Sequence, residues 1–187
     1  KVYRYPQMGQ HIKVSTWPYA FHGFYGYRNF RIEGENGEIF AEANSVWVFM
    51  DTEKMRPTRV SERMQEVYIP EIKDEIPGEW ADRKISLPDD AAQKSVEKEP
   101  VRVSRFYIDT NHHMNNGKYI LVAEEYLPEN VLVCGLRAEY RKAAMLGDML
   151  YPVVTTEAEQ ITVTLADEKG APYAIICFRI QKKERQS

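Results

Sequence analysis

Asp109-Thr110-Asn111-His112-His113-Met114-Asn115-Asn116-Gly117-Lys118-Tyr119-Ile120 decides how this chain is read. A carboxylate, paired imidazoles and several amides stand directly before an apolar stretch. Tyr119, Val122, Ala123, Tyr126 and Leu127 recur at i, i+3, i+4, i+7 and i+8, with Ile120 and Leu121 widening the stripe, which is the spacing of one helix face. Asn115 or Asn116 suits the N-cap, and Pro128 is expected to stop the helix. A strand over residues 101–108 is expected to lead in. The polar residues then sit at a helix N-terminus, where unpaired N–H groups and the helix dipole polarise a carbonyl and stabilise an oxyanion. Gly117 would let a substrate approach the backbone closely. Asp and Asn also make Asx turns and caps in loops without chemistry, and it is their density beside histidine that favours a site here. Adjacent histidines point in different directions and no cysteine or further histidine is near, so neither a metal nor any other cofactor is expected.

Outward from this stretch the pattern is mostly strand. Residues 131–141, 150–156, 161–166 and 173–181 read as strands, with Asp167-Glu168-Lys169-Gly170 as a turn. In the first third, Ile12-Lys13-Val14-Ser15-Thr16-Trp17 alternates, residues 24–33 are aromatic-rich, and Gly34-Glu35-Asn36-Gly37-Glu38 supplies a turn. Ile39, Ala41, Ala43, Ser45, Trp47 and Phe49 fall on one face of the next strand and are expected to meet a core, while Phe40, Val46 and Val48 suit contact on the other. Charges and prolines (Pro70, Pro77, Pro88, Pro100) dominate residues 61–100, and 89–99 is almost without apolar residues. This reads as a linker with short helical pieces, dividing a first repeat (1–60) from a second (101–187).

The halves repeat. Residues 3–12 align with 140–150 if one insertion is allowed, each followed by strand, strand, turn and strand. By analogy the first copy lacks about 40 residues carrying its helix. Its sheet would then expose an apolar face that something must cover.

With 187 residues, 43% hydrophobic and 28% charged, a disordered chain, a fibre and a coiled coil are excluded. The apolar runs are strand-length, so no membrane span is expected. Against 28 acidic residues stand 25 basic ones, net charge −3, which gives no electrostatic case for nucleic acid. Cys134 and Cys177 lie in apolar runs and are expected to be buried hydrophobes, not a disulfide. No signal-peptide shape is present, and a cytoplasmic setting is expected.

The Asp109-to-Tyr119 stretch closely resembles the D-x-N-x-H-x-N-N-x-x-Y element of fatty acyl-ACP thioesterases, which are built from two tandem hot-dog folds. Arg28-Asn29-Phe30, Ala43-Asn44-Ser45-Val46-Trp47 and Met55-Arg56-Pro57-Thr58-Arg59 resemble the family's first hot dog, and Glu139-Tyr140-Arg141-Lys142 its second. The resemblance implies an α+β double hot dog, two tandem antiparallel sheets each wrapped round a central helix, the first without its helix here. It implies hydrolysis of the thioester between a fatty acyl chain and acyl carrier protein in fatty acid biosynthesis. Asp109, Asn111 and His113 fall on the catalytic positions. Asn115, Asn116 and Gly117 would hold the substrate, with carbonyl polarisation by the backbone near Asn116 and Gly117.

Two alternatives stay open: an acyl-CoA thioesterase, and a non-catalytic hot dog that binds an acyl chain or acyl carrier. The second is favoured by a departure from the pattern. Plant members carry Glu then Cys after the Tyr-Arg-basic stretch, where this chain has Ala143 and Ala144. Glu139, four residues earlier on an extended strand, is some 13 Å away and is no substitute. An acidic carrier calls for a basic patch, and Arg56, Arg59 and Arg63, or Arg137, Arg141 and Lys142, are candidates. Trp17, Tyr25 and Trp47 are candidates to line an acyl tunnel. Hot-dog units pair, a requirement met between the two halves or in a homodimer.

Overall fold

Alternating side chains and tight glycine turns build an antiparallel meander from the first half of the chain. The computed structural model describes residues 1–54, 56–68, 71–78, 80, 82–88 and 90–183, without the side chains of Ala92 and Gln93; Met55, Pro70 and Asp89, quoted above, lie outside the described residues. Two compact units are present, Lys1–Ala81 and Asp82–Ser187.

In the first unit, β1 (Ile12–His22), β2 (Tyr25–Gly34) and β3 (Ile39–Val48) form an antiparallel sheet in that order. Gly37 takes φ +77°, and the β2–β3 turn is closed by Gly34 N–H donating to Glu38 O at 2.8 Å. The short pair β4 (Met50–Asp51) and β5 (Arg56–Pro57) follows, then helix α1 (Glu62–Tyr68). Phe40 and Glu42 are buried on one face of β3. Arg31 Nε and Nη2 donate to Glu42 Oε1 at 3.0 and 2.7 Å and the Tyr3 hydroxyl to Oε2 at 3.0 Å, which compensates burial of the carboxylate.

One face of this sheet is open, the exposed apolar face expected of the first copy. Phe21, Phe49 and Tyr68 cluster at one end of it, but Ile12, Val14 and Trp47 are 47, 65 and 52% exposed. Nor do the three tunnel candidates line one surface. Trp17 pairs with Asn29 and Tyr25 with Val48, which puts them on the face of Asn44, opposite Trp47. Trp17 instead lies under the Arg31 and Lys73 cations, 5.6 and 5.8 Å from its ring centre.

The second unit carries α2 (Ala91–Lys94), β6 (Ser95–Glu97), β7 (Val101–Arg102), α3 (Asn116–Glu124), β8 (Val131–Tyr140), β9 (Met149–Thr156), β10 (Gln160–Ala166) and β11 (Pro172–Lys182). The sheet runs β6-β9-β10-β11-β8, antiparallel throughout, with β7 also on β9. α3 packs Tyr119, Val122 and Ala123 onto Leu150, Val163, Ile176 and Phe178, all buried. A helix held against an antiparallel sheet is the hot-dog arrangement. Among the described residues no helix is long and apolar enough to cross a membrane.

Local details differ from the sequence reading. The strand expected over 101–108 stops at Arg102: Val103 N–H donates to Asp148 O, and a 3-10 turn, Arg105–Tyr107, follows. α3 ends at Glu124 and not at Pro128, because Tyr126 and Leu127 N–H fold back onto the carbonyls three residues earlier. Residues 95–97, within the charge-rich stretch, pair with β9 through backbone bonds that need no apolar side chains. Cys177 is buried, and burial pushes its thiol up, whereas Cys134 is only half-buried, with Sγ 3.4 Å from Arg179 O.

The internal repeat is ungapped in the structure. Val2 pairs with Ala41 as Tyr140 pairs with Ala174, and Tyr3 and Arg4 N–H donate to Phe40 O as Arg141 and Lys142 N–H donate to Tyr173 O. Gln10 N–H reaches Gln7 O at 3.1 Å and Asp148 N–H reaches Met145 O at 3.1 Å. Gln10 Oε1 and Asp148 Oδ2 each accept the N–H three residues before, and Gly9 and Gly147 are both left-handed. Val2 therefore matches Tyr140 and Tyr3 matches Arg141, one position from the pairing that the letters suggest. Side-chain identity pulled Tyr3 toward Tyr140; backbone hydrogen bonding sets the true register.

Candidate active site

Residues 108–114 close a tight hairpin. Ile108 bridges Met114, Asp109 N–H donates to His113 O at 3.0 Å, and His112 N–H donates to Asp109 O at 3.0 Å. A three-residue loop of this kind turns first right-handed, then left-handed. The left-handed position is filled by His112, φ +65°, the one non-glycine residue with positive φ among those described. Asp109 Oδ1 accepts Asn111 N–H at 2.8 Å, so the carboxylate also braces the turn.

The hairpin is gripped from both sides. Asn115 N–H donates to Tyr107 O at 2.9 Å, Met114 N–H to Ala144 O at 2.8 Å, and His113 bridges Met145. α3 then starts at Asn116, with Asn115 as N-cap: its Oδ1 accepts Gly117 N–H at 2.9 Å, and its carbonyl accepts Lys118 N–H. Gly117 N–H is thereby used up, which leaves Asn116 N–H with no acceptor among the described residues. A side chain at Gly117 would press on Asn115 Oδ1 at 3.3 Å.

Asp109, His113 and Asn115 converge. Asp109 Oδ1 lies 3.9 Å from His113 Nδ1, beyond hydrogen-bond distance, and Oδ2 is 3.5 Å from Asn115 Nδ2, at its limit. The Asn111 and Asn116 side chains are exposed and have no protein partner among the described residues. The arrangement offers a carboxylate, an adjacent imidazole, two uncommitted amides and one uncommitted helix N–H. Among the described residues no group of three or more His, Cys, Asp or Glu is placed to hold a metal.

Two tyrosines complete the frame, and the sequence reading missed both roles. Tyr119, read only as part of the apolar stripe, accepts Ala144 N–H on its hydroxyl at 2.8 Å. The Tyr140 hydroxyl donates to Asn116 O at 2.9 Å, and its ring meets that of Tyr119 edge-on at 5.8 Å. Burial, helped by Tyr119, pushes Tyr140 up to about 12. No spacing signal marks these contacts; only the final Tyr of the motif hinted at the first.

Ala143 is exposed beside the hairpin, while Ala144 is fully buried with both its N–H and C=O taken. Glu139 is committed elsewhere. Its carboxylate accepts Ile85 N–H at 2.8 Å and pairs with Arg141 at 2.9 Å; burial pushes it up, but these two partners outweigh burial and hold it low.

The chain has clear relatives. A family model described as the acyl-ACP thioesterase N-terminal domain matches residues 1–68, and one described as the C-terminal domain matches 90–174. The chloroplastic acyl-[acyl-carrier-protein] hydrolase FATB2 of Cuphea viscosissima is 33% identical over 148 residues, 75% of this chain and 35% of that protein. The chloroplastic oleoyl-acyl carrier protein thioesterase 1 of Arabidopsis thaliana is 26% identical over 171 residues, 85% of this chain and 46% of that one. The chain thus spans less than half the length of either. In fold it matches the 12:0-ACP thioesterase of Umbellularia californica with TM-score 0.82 at 22% identity, over 97% of this chain and 72% of that one. An acyl-ACP thioesterase from Bacteroides thetaiotaomicron gives 0.77 at 17% identity, over 91% and 68%.

Proposed function

The chain belongs to the acyl-ACP thioesterase family, and on that premise we propose that it hydrolyses the thioester between a fatty acyl chain and acyl carrier protein, with Asp109, Asn111 and His113 as catalytic residues. The observation that carries the reading is the meeting of the Asp109–His113 hairpin with an N-capped helix whose Asn116 N–H is uncommitted. Thioester hydrolysis needs an activated water, a polarised carbonyl and a protonated leaving sulfur. Asn116 N–H, at the positive end of α3, receives the developing oxyanion. Asn111 and His113 orient the carbonyl and the water. Asp109 draws off the water's proton as its oxygen bonds to the carbonyl carbon. The C–S bond then breaks, His113 gives a proton to the thiolate, and the proton held by Asp109 passes to the adjacent His113, leaving free acid, free thiol and the enzyme as it began. Asn115 and Gly117 shape the helix start that the carbonyl approaches, and substrate contact falls to Asn115, Asn116 and Gly117.

Acyl carrier protein is the proposed partner. A cytoplasmic setting is part of the proposal, although the plant relatives are named as chloroplastic. A second reading, acyl binding without turnover, is favoured by Ala143, since Glu139 does not replace the missing carboxylate: it is held by Arg141 and Ile85. Thiol release from a panel of acyl-ACPs, measured for the protein and for Ala143→Glu, decides between them. Turnover by the parent supports hydrolysis by the Asp109–His113 set alone. Tight acyl-ACP binding without turnover, with activity arising only in Ala143→Glu, establishes the second reading.

A further inference from the structure

We propose that the 3-10 turn Arg105–Tyr107 and the first turn of α3 form the docking platform for an acidic carrier protein, with Phe106, Lys118, Arg105 and Arg102 as its contacts. This rests on the acyl-ACP reading above and adds the surface on which the carrier sits.

Phe106 is 72% exposed, an unusual position for a ring of that size within one hydrogen bond of a helix cap. The Lys118 ammonium stands 3.6 Å over its face, so a flexible cation is pinned to a rigid apolar plate. Arg105 and Arg102 on the adjoining segment are exposed, and none of the three cations has an acidic partner among the described residues. The platform is rigidly joined to the site, because Tyr107 O accepts Asn115 N–H at 2.9 Å. A carrier bound there would deliver its arm beside the uncommitted Asn116 N–H.

The basic cluster read from sequence at Arg137, Arg141 and Lys142 fits less well. Arg137 donates to the carbonyls of Asp82 and Lys84, Arg141 pairs with Glu139 and Lys142 with Asp167. Those charges are spent inside the unit, whereas the Phe106 platform combines free positive charge with an apolar anchor. An acidic helical carrier offers the complementary surface.

The test is binding of fluorescently labelled acyl-ACP by polarisation, which needs no turnover, set beside hydrolysis of an uncharged acyl-pantetheine. Arg105→Glu and Lys118→Glu are each expected to weaken acyl-ACP binding about tenfold and flatten its salt dependence. Phe106→Ala should weaken binding without changing the salt dependence. Acyl-pantetheine hydrolysis, if present in the parent, should persist in Arg105→Glu and Phe106→Ala. Unchanged acyl-ACP affinity in all three variants overturns the platform, as does a loss confined to Arg56→Glu, Arg59→Glu or Arg63→Glu. Failure of hydrolysis with carrier binding still lost in these variants would refute the hydrolase reading alone.

Discussion

Residues 2–10 and 140–148 trace the same backbone in different surroundings. Both end in a left-handed glycine, and both are tied by a side chain that accepts an N–H three residues back. In the second copy that loop is clasped by the hairpin through Met114 and by α3 through Tyr119. In the first copy the matching loop carries fully exposed Met8, and Ile12 is half exposed where its counterpart Leu150 is buried. The scaffold is present twice, but among the described residues the hairpin and the capped helix are present once, beside the second copy.

The largest effect that can sharpen this contrast is loss of the imidazole. His113→Ala is expected to lower acyl-ACP turnover about 10²–10⁴-fold, the range for a proton-transfer group, with the circular dichroism spectrum unchanged. An exposed substitution in the first copy, Met8→Ala, should leave turnover alone; a loss there would place chemistry in the wrong repeat.

Next is the clasp. Tyr119→Phe leaves the buried Ala144 N–H without its acceptor and should cost about 1–3 kcal/mol in denaturant unfolding. Gly147→Ala and Gly9→Ala, at φ +95° and +83°, should each cost about 1–2 kcal/mol for the left-handed strain. Nothing lies within 4 Å of a Cβ at either position, so strain alone acts and the two costs should agree. A marked disagreement would mean that the two turns are not equivalent.

The smallest effect is alkaline. Tyr140 is neutral when folded and its ionisation is raised from 10 to about 12. Its contribution to stability is therefore complete below pH 10 and is lost as pH rises from 10 to about 12. Tyr140→Phe should remove that part of the alkaline decline, read from denaturation midpoints across this range. The first unit has Val2 at the matching position, so no tyrosine acts there.

Most of the strands, their order along the chain and the polar stretch before α3 were legible in the sequence, because alternation and helical spacing are local properties; β6, which has little apolar pattern, was not. Burial was not. Ala41, Ala43 and Trp47 share the face that the pattern assigned to a core, yet a face is buried only when another element covers it. The repeat register was misjudged by one residue because Tyr3 and Tyr140 look alike, while the backbone bonds that align Tyr3 with Arg141 have no letter. In the site, Asn115 as cap could be foreseen. The use of Gly117 N–H by that cap, the left-handed His112 and the Tyr119–Ala144 contact could not, since each depends on chain closure in three dimensions.

The most direct test of the central claim is single-turnover hydrolysis of acyl-ACP by the protein and by Asp109→Asn, a change that keeps size and the oxygen that accepts Asn111 N–H but removes the charge. The account predicts thiol release by the parent and a loss of at least about tenfold in the variant. Equal rates in the two proteins would contradict it.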